Sequence, residues 1–156
     1  MRLLWLCNVI PGAIRQAMGN PGGSGLWMDH VLSGLRRDPG PEIRILCRGD
    51  TASSGSVDER LSYVVFEEPV AYTYYTGLED LFSRQLWDFQ PDAVHIWGTE
   101  YGHTLAMMNA CRDAGLLKKT CVSIQGLCGI YARHYAEGVP YRVQRGHSLR
   151  DLVRRD

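Results

Sequence analysis

Short apolar runs alternate along this chain with stretches of helical period, and that alternation restricts it to a small set of folds. The runs are Leu3 to Cys7, Ile43 to Cys47, Tyr63 to Phe66, Ala93 to Trp97 and Cys121 to Ile124. Between them Leu78, Leu81, Phe82, Leu86 and Phe89 recur at three- and four-residue steps, as do Trp27, Val31 and Leu35 and, less cleanly, Leu105, Met108 and Cys111. Strands that are apolar throughout, separated by amphipathic helices, are buried on both faces, as happens when crossover helices cover a parallel sheet. The expected fold is α/β: a Rossmann-like open parallel sheet with helices on both faces. Pro91 should close the helix before the fourth run, because the residue before a proline is steered out of the α region.

Two stretches read as loops. Pro11 to Gly25 holds five glycines, and Gly49 to Ser56 is rich in serine and threonine and reads as a mobile surface connection. At the other end, Ser148 to Asp151 resembles a capping box followed by Leu149, Leu152 and Val153 at helical spacing. An isolated helix that short is marginal in water. The expectation is a domain over 1–145, with 146–156 beginning a helix that leads to a further, C-terminal domain; a frayed amphipathic tail is the competing reading.

With 156 residues the chain has the length of one domain. Its 17 basic and 17 acidic residues cancel, which argues against a general nucleic-acid binder. The five cysteines form no C-x-x-C pair and three of them fall in apolar runs; a buried reduced thiol is the plain reading, fitting a cytoplasmic protein. The apolar opening, Leu3 to Cys7, is too short for a signal segment or a membrane span.

In an open parallel sheet ligands gather outside the carboxyl ends of the strands. The polar residues there are Asn8 after the first run, Gly98, Thr99 and Glu100 after the fourth, and Gln125 and Gly126 after the fifth. Gly22, Gly23 and Ser24 stand just before the first helix, where amides and the helix dipole would favour an anion such as phosphate; a flexible connector explains the same glycines. Their spacing is not the dinucleotide fingerprint, which disfavours a nicotinamide site. His95 lies within an apolar run and reads as a satisfied core or supporting histidine. Glu100, three residues before His103, is explained as well by helix capping as by ligand binding, and His134 beside Tyr135 either lines a polar cleft or decorates a solvated helix. No histidine, cysteine or carboxylate group has zinc-ligand spacing, and no G-x-S-x-G occurs, so neither a metal nor a serine nucleophile is expected.

Taken together and in order, Arg2 to Asn8, the loop ending Gly22-Gly23, the string Pro91 to Tyr101 (P-D-A-V-H-I-W-G-T-E-Y), and Val122 to Gly126 with Ala132 to Tyr135 resemble the N-terminal domain of retaining GT-B glycosyltransferases of the family-four type. The resemblance implies two Rossmann-like domains facing across a cleft, this one on the acceptor side. It implies that Gly22, Gly23 and Ser24 approach the donor diphosphate, and that Asn8, Gly98, Thr99, Glu100, Gln125, Gly126 and His134 line the cleft. The co-substrate would be a nucleotide-sugar, with no further cofactor, and the acceptor a glycan or a lipid-linked or small molecule. The location would be cytoplasmic, with peripheral attachment at the inner face of the membrane and self-association of the lone domain both compatible.

Many members of that family carry a histidine at the end of the fifth strand, where Gln125 stands here; glutamine hydrogen-bonds a sugar but is no acid or base at neutral pH. The family's paired glutamates and basic diphosphate-binding residues belong to the second domain, so no catalytic residue is assigned and the isolated domain is expected to be inactive. Two other classes fit the same pattern: a non-catalytic sugar- or phosphate-binding module, and a small flavodoxin-like nucleotide-binding protein.

Overall fold

The computed structural model describes residues 1–20, 26–37, 39–68, 73–124 and 128–144. The chain divides into two units, Met1–Gly126 and Leu127–Asp156. The first is built on a six-stranded sheet of β1 (Arg2–Cys7), β2 (Glu42–Arg48), β3 (Ser53–Asp58), β4 (Leu61–Phe66), β5 (Ala93–Trp97) and β6 (Thr120–Ser123), in the order β3-β4-β2-β1-β5-β6. All neighbours are parallel except β3, which runs antiparallel to β4 at the edge. Without that edge strand the order is that of a doubly wound sheet, growing outward from β1 in both directions.

Alternate residues of each strand serve two cores, because successive side chains point to opposite faces. On one face Trp5, Ile14, Met28, Leu32, Ile43, Ile45 and Tyr63 pack together beneath α1 (Gly12–Ala17) and α2 (Leu26–Leu35). On the other, Leu4, Leu6, Phe66, Val94 and Ile96 meet Leu78, Phe82, Leu86 and Phe89 of α3 (Gly77–Phe89) and Ala106, Met107, Ala110 and Cys111 of α4 (Gly102–Asp113). The expected Rossmann-like α/β architecture, helices on both faces, is the one the chain adopts.

The helical period of α3 is read correctly from sequence, and Pro91 follows its end: Gln90 turns to φ +46° while its N–H still reaches the Leu86 carbonyl at 2.9 Å. Three other expectations are corrected. The loop from Pro11 to Gly25 contains α1, started by Pro11 (φ −57°) and held by the Asp29 carboxylate, which accepts the Gly12 N–H at 2.7 Å. The surface connection at Gly49 to Ser56 runs into β3, a polar segment that becomes a strand because β4 offers it an unpaired edge. In α2 the buried residues are Met28 and Leu32, whereas Trp27 and Val31 are 47% and 40% exposed; in α4, Leu105 is exposed. Leu35, Met108 and Cys111 do pack on the cores as their spacing implies, while Trp27, Val31 and Leu105 are large residues outside the core that mimic the apolar stripe.

The second unit contains α5 (Cys128–His134) and α6 (Tyr141–Gln144). The Gln144 amide ties α6 to the connection before it by donating to the carbonyls of Ala136 and Val139. The C-terminal helix expected from Ser148 onward lies outside the described residues. No helix among the described residues is long and apolar enough to cross a membrane.

Candidate functional site

The winding of the sheet fixes where a cleft can form. The chain leaving β1 passes to α1 and α2 on one face, while the chain leaving β5 passes to α4 on the other, so a crevice opens between two strands that are direct neighbours, with Leu6 opposite Ile96. This is the topological switch point of the sheet, the place where such folds hold their ligands. Asn8 stands on one side of it. Its Oδ1 is buried and has no hydrogen-bond partner among the described residues, an acceptor that a bound donor would satisfy.

Gly98, Thr99 and Glu100 form the other side. Gly98 has φ +100°, a conformation that L side chains rarely adopt. It is held at both ends: its N–H donates to the Ser123 carbonyl at 2.9 Å, and its carbonyl accepts from Thr104 Oγ1 at 3.0 Å. The turn throws the Glu100 carboxylate back over Gly98, where it accepts the Thr99 N–H at 2.7 Å. Glu100 therefore braces its own turn, and α4 begins after it without any side-chain cap. The capping explanation of Glu100 is replaced by this local brace. Gly102 opens the helix under close cover: a Cβ there would lie 2.4 Å from the Thr73 carbonyl oxygen.

Beside this turn the sheet carries an aromatic wall. The Trp97 ring meets Trp5 edge-on at 5.3 Å and Trp27 at 5.0 Å, and stacks on His95 at 3.9 Å. His95 Nε2 lies 2.7 Å from Ser123 Oγ, so the ring is satisfied; burial holds its pKa below the usual histidine range. Trp27, Trp97, Ser123 and Ile124 line an open groove of about 420 Å³. The Trp97 indole N–H is buried without a partner. Trp27 was read as core-facing, and its exposure here is what makes it available to a ligand.

A second polar group at the same edge escaped the sequence reading. His103, completely buried, sets Nδ1 2.9 Å from Oε1 of Glu68, whose side chain is also completely buried; Arg48 brings Nε to 3.0 Å from Glu68 Oε2. The last contact is close as an ion pair yet misaligned as a hydrogen bond, and Arg48 Nε, Glu68 Oε2 and His103 Nε2 all remain without hydrogen-bond partners among the described residues. The His103 ring also stacks on Tyr101 at 5.0 Å and meets the edge of Phe66 at 5.5 Å. Burial lowers its pKa, against the opposing pull of Glu68, so the neutral ring is favoured. Arg48 ends β2, Glu68 follows β4 and His103 lies in the first turn of α4, and no local spacing links them.

Gly22, Gly23, Ser24, Gln125 and Gly126 lie outside the described residues. His134 belongs to the second unit, where it is exposed and paired with Glu137. Among the described residues no group of three or more His, Cys, Asp or Glu side chains is placed to hold a metal. A larger cavity, about 670 Å³, lies at the opposite edge of the sheet, lined by Trp87, Gln90, Asp92 and Lys119 among others. We favour the carboxyl edge as the site, because the glycine-dependent turn at Gly98 and the orphaned buried polar atoms Asn8 Oδ1, Glu68 Oε2 and His103 Nε2 collect there. Comparison with family models, with curated proteins and with solved structures finds no match.

Proposed function

We propose that this domain is the acceptor-side half of a sugar-nucleotide-dependent retaining glycosyltransferase, which transfers a sugar to a glycan or to a lipid-linked or small-molecule acceptor. The observation that supports the reading is that Asn8 and the Gly98–Glu100 turn follow two adjacent parallel strands, β1 and β5, at the switch point of a doubly wound sheet. Hydroxyl-rich ligands suit these groups: Asn8 offers an unused acceptor, Glu100 a carboxylate, and Trp97 an unused donor on an apolar ring surface. The Trp27–Trp97 wall would take the C–H face of a sugar ring or an apolar part of the acceptor. The donor would be a nucleotide-sugar held mainly by a second domain, and the enzyme would work in the cytoplasm, at the inner face of the membrane when its acceptor is lipid-linked.

The test is transfer from a panel of nucleotide-sugars by the protein that joins this domain to its donor-binding partner. Glu100→Gln keeps the side-chain shape and removes the charge; losing a hydrogen bond to a charged group should slow turnover about 10- to 100-fold, with the circular dichroism spectrum unchanged. Full turnover in Glu100→Gln would remove this turn from the site.

A further inference from the structure

Arg48 is set up differently from the other arginines of the domain. Arg2, Arg36, Arg44 and Arg112 are paired with carboxylates that are themselves substantially exposed, as surface charges commonly are. The partner of Arg48 is a carboxylate with no exposure at all, and that carboxylate is in turn held by a histidine with none. Burying such a group is unfavourable or neutral for stability, so its presence calls for another role, and clusters of this kind concentrate at binding sites. The Arg48 side chain itself is 35% exposed, while its Nε is buried beside the Glu68 carboxylate. Its terminal nitrogens make no hydrogen bond among the described residues. The anchor comes from three chain segments, the ends of β2 and β4 and the start of α4, and it lies at the ligand-binding edge of the sheet.

We propose that Arg48 is a receptor for a phosphoryl group, with Glu68 and His103 as the residues that position it. A guanidinium presents a planar fork matched to two oxygens of a phosphate. Fixing that fork in advance removes the entropy that a free surface arginine would lose on binding. Partial burial also strengthens the attraction relative to an exposed charge. The charged groups bearing on the cluster are Glu68, Arg48 and Glu100; Glu68 neutralises Arg48 at one end, and Glu100 is engaged by the Thr99 amide. The selectivity expected is therefore for a phosphoryl group that meets the fork in two-point contact, over acetate. This site is separate from the sugar-transfer reading: it stands or falls by direct binding to the chain, whereas that reading rests on Glu100 and the switch-point turn.

The experiment is titration of the isotope-labelled 156-residue chain with inorganic phosphate at constant ionic strength, followed through the Arg48 Nε and His103 ring resonances. Saturable shifts at both are expected. Arg48→Lys should weaken binding about tenfold, through loss of two-point contact, and Arg48→Gln should abolish it. Arg48→Lys keeps a cation beside the buried Glu68 carboxylate, and in Arg48→Gln that carboxylate can take up a proton, so both variants should keep the dispersed spectrum of the folded chain. Arg84→Gln, an exposed position on α3, should bind as the unaltered chain does. Glucose 1-phosphate and uridine diphosphate in parallel titrations identify the source of the phosphoryl group, a phosphomonoester if the first binds more tightly and a donor diphosphate if the second does. Absence of saturation, equal response to acetate, or equal loss in Arg84→Gln and Arg48→Gln would overturn the assignment.

Discussion

The conformation of Gly98 can be tested in isolation, because the structure fixes both what an added methyl group would meet and what it would cost. At φ +100° an alanine is forced into a region open essentially to glycine, a strain of about 1–3 kcal/mol. Its Cβ would also lie 3.1 and 3.2 Å from the two Glu100 carboxylate oxygens, so the carboxylate must move and its bond to the Thr99 N–H must lengthen. That bond is exposed, so about 0.5–1 kcal/mol, the lower part of the range for an ordinary hydrogen bond, is at risk. Together these give a loss of about 1.5–4 kcal/mol, or roughly 3–16 °C in Tm for a chain of this size. Gly34 is the control: it is exposed on α2 with nothing within 4 Å of an added Cβ, so Gly34→Ala should stabilise by about 0.5–1 kcal/mol. Urea unfolding followed by far-ultraviolet circular dichroism measures both, provided the m-values agree. If Gly98→Ala unfolds at the same urea concentration as the unaltered chain, the turn is not held by its backbone angle and the argument for a braced Glu100 fails.

Two further predictions follow from buried titrating groups. Burial lowers the pKa of both His95 and His103 in the folded chain; their stabilising contribution is thus complete above the unfolded value of about 6.5, and it is lost as pH falls through the folded values. Stability should decline between pH 7 and pH 5, a window above the lowered carboxyl groups of Asp58, Glu79, Asp88 and Asp113; a flat profile there would contradict the burial of the two rings. Among Cys7, Cys47, Cys111 and Cys121 only the last is exposed, and burial pushes the Cys47 thiol up to about 12 and raises Cys7 and Cys111 as well. An aromatic disulfide reagent should therefore label Cys121 in the native chain and the other three only after denaturation, as peptide mass mapping would report.

What could be read from the sequence was whatever is encoded locally. The spacing of Leu78, Phe82, Leu86 and Phe89 specifies the buried face of α3, and the run from Ala93 to Trp97 coincides with β5, because periodicity and apolar length are properties of neighbouring residues. The polar residues at strand ends were legible for the same reason, and the structure sets Asn8 and Glu100 at one crevice once the strand order is known. The segment from Ser53 to Asp58 carries no such signal; it is a strand because β4 has an edge to pair with, and its Gly55 lets the Tyr63 ring lie across it. The Arg48–Glu68–His103 group is further still from local encoding. Each of its members looks like an ordinary surface residue, and only the packing of β2, β4 and α4 removes Glu68 and His103 from water and sets Arg48 against them. Periodicity is written between neighbours along the chain, whereas burial and charge pairing depend on segments that meet only after the sheet has been assembled.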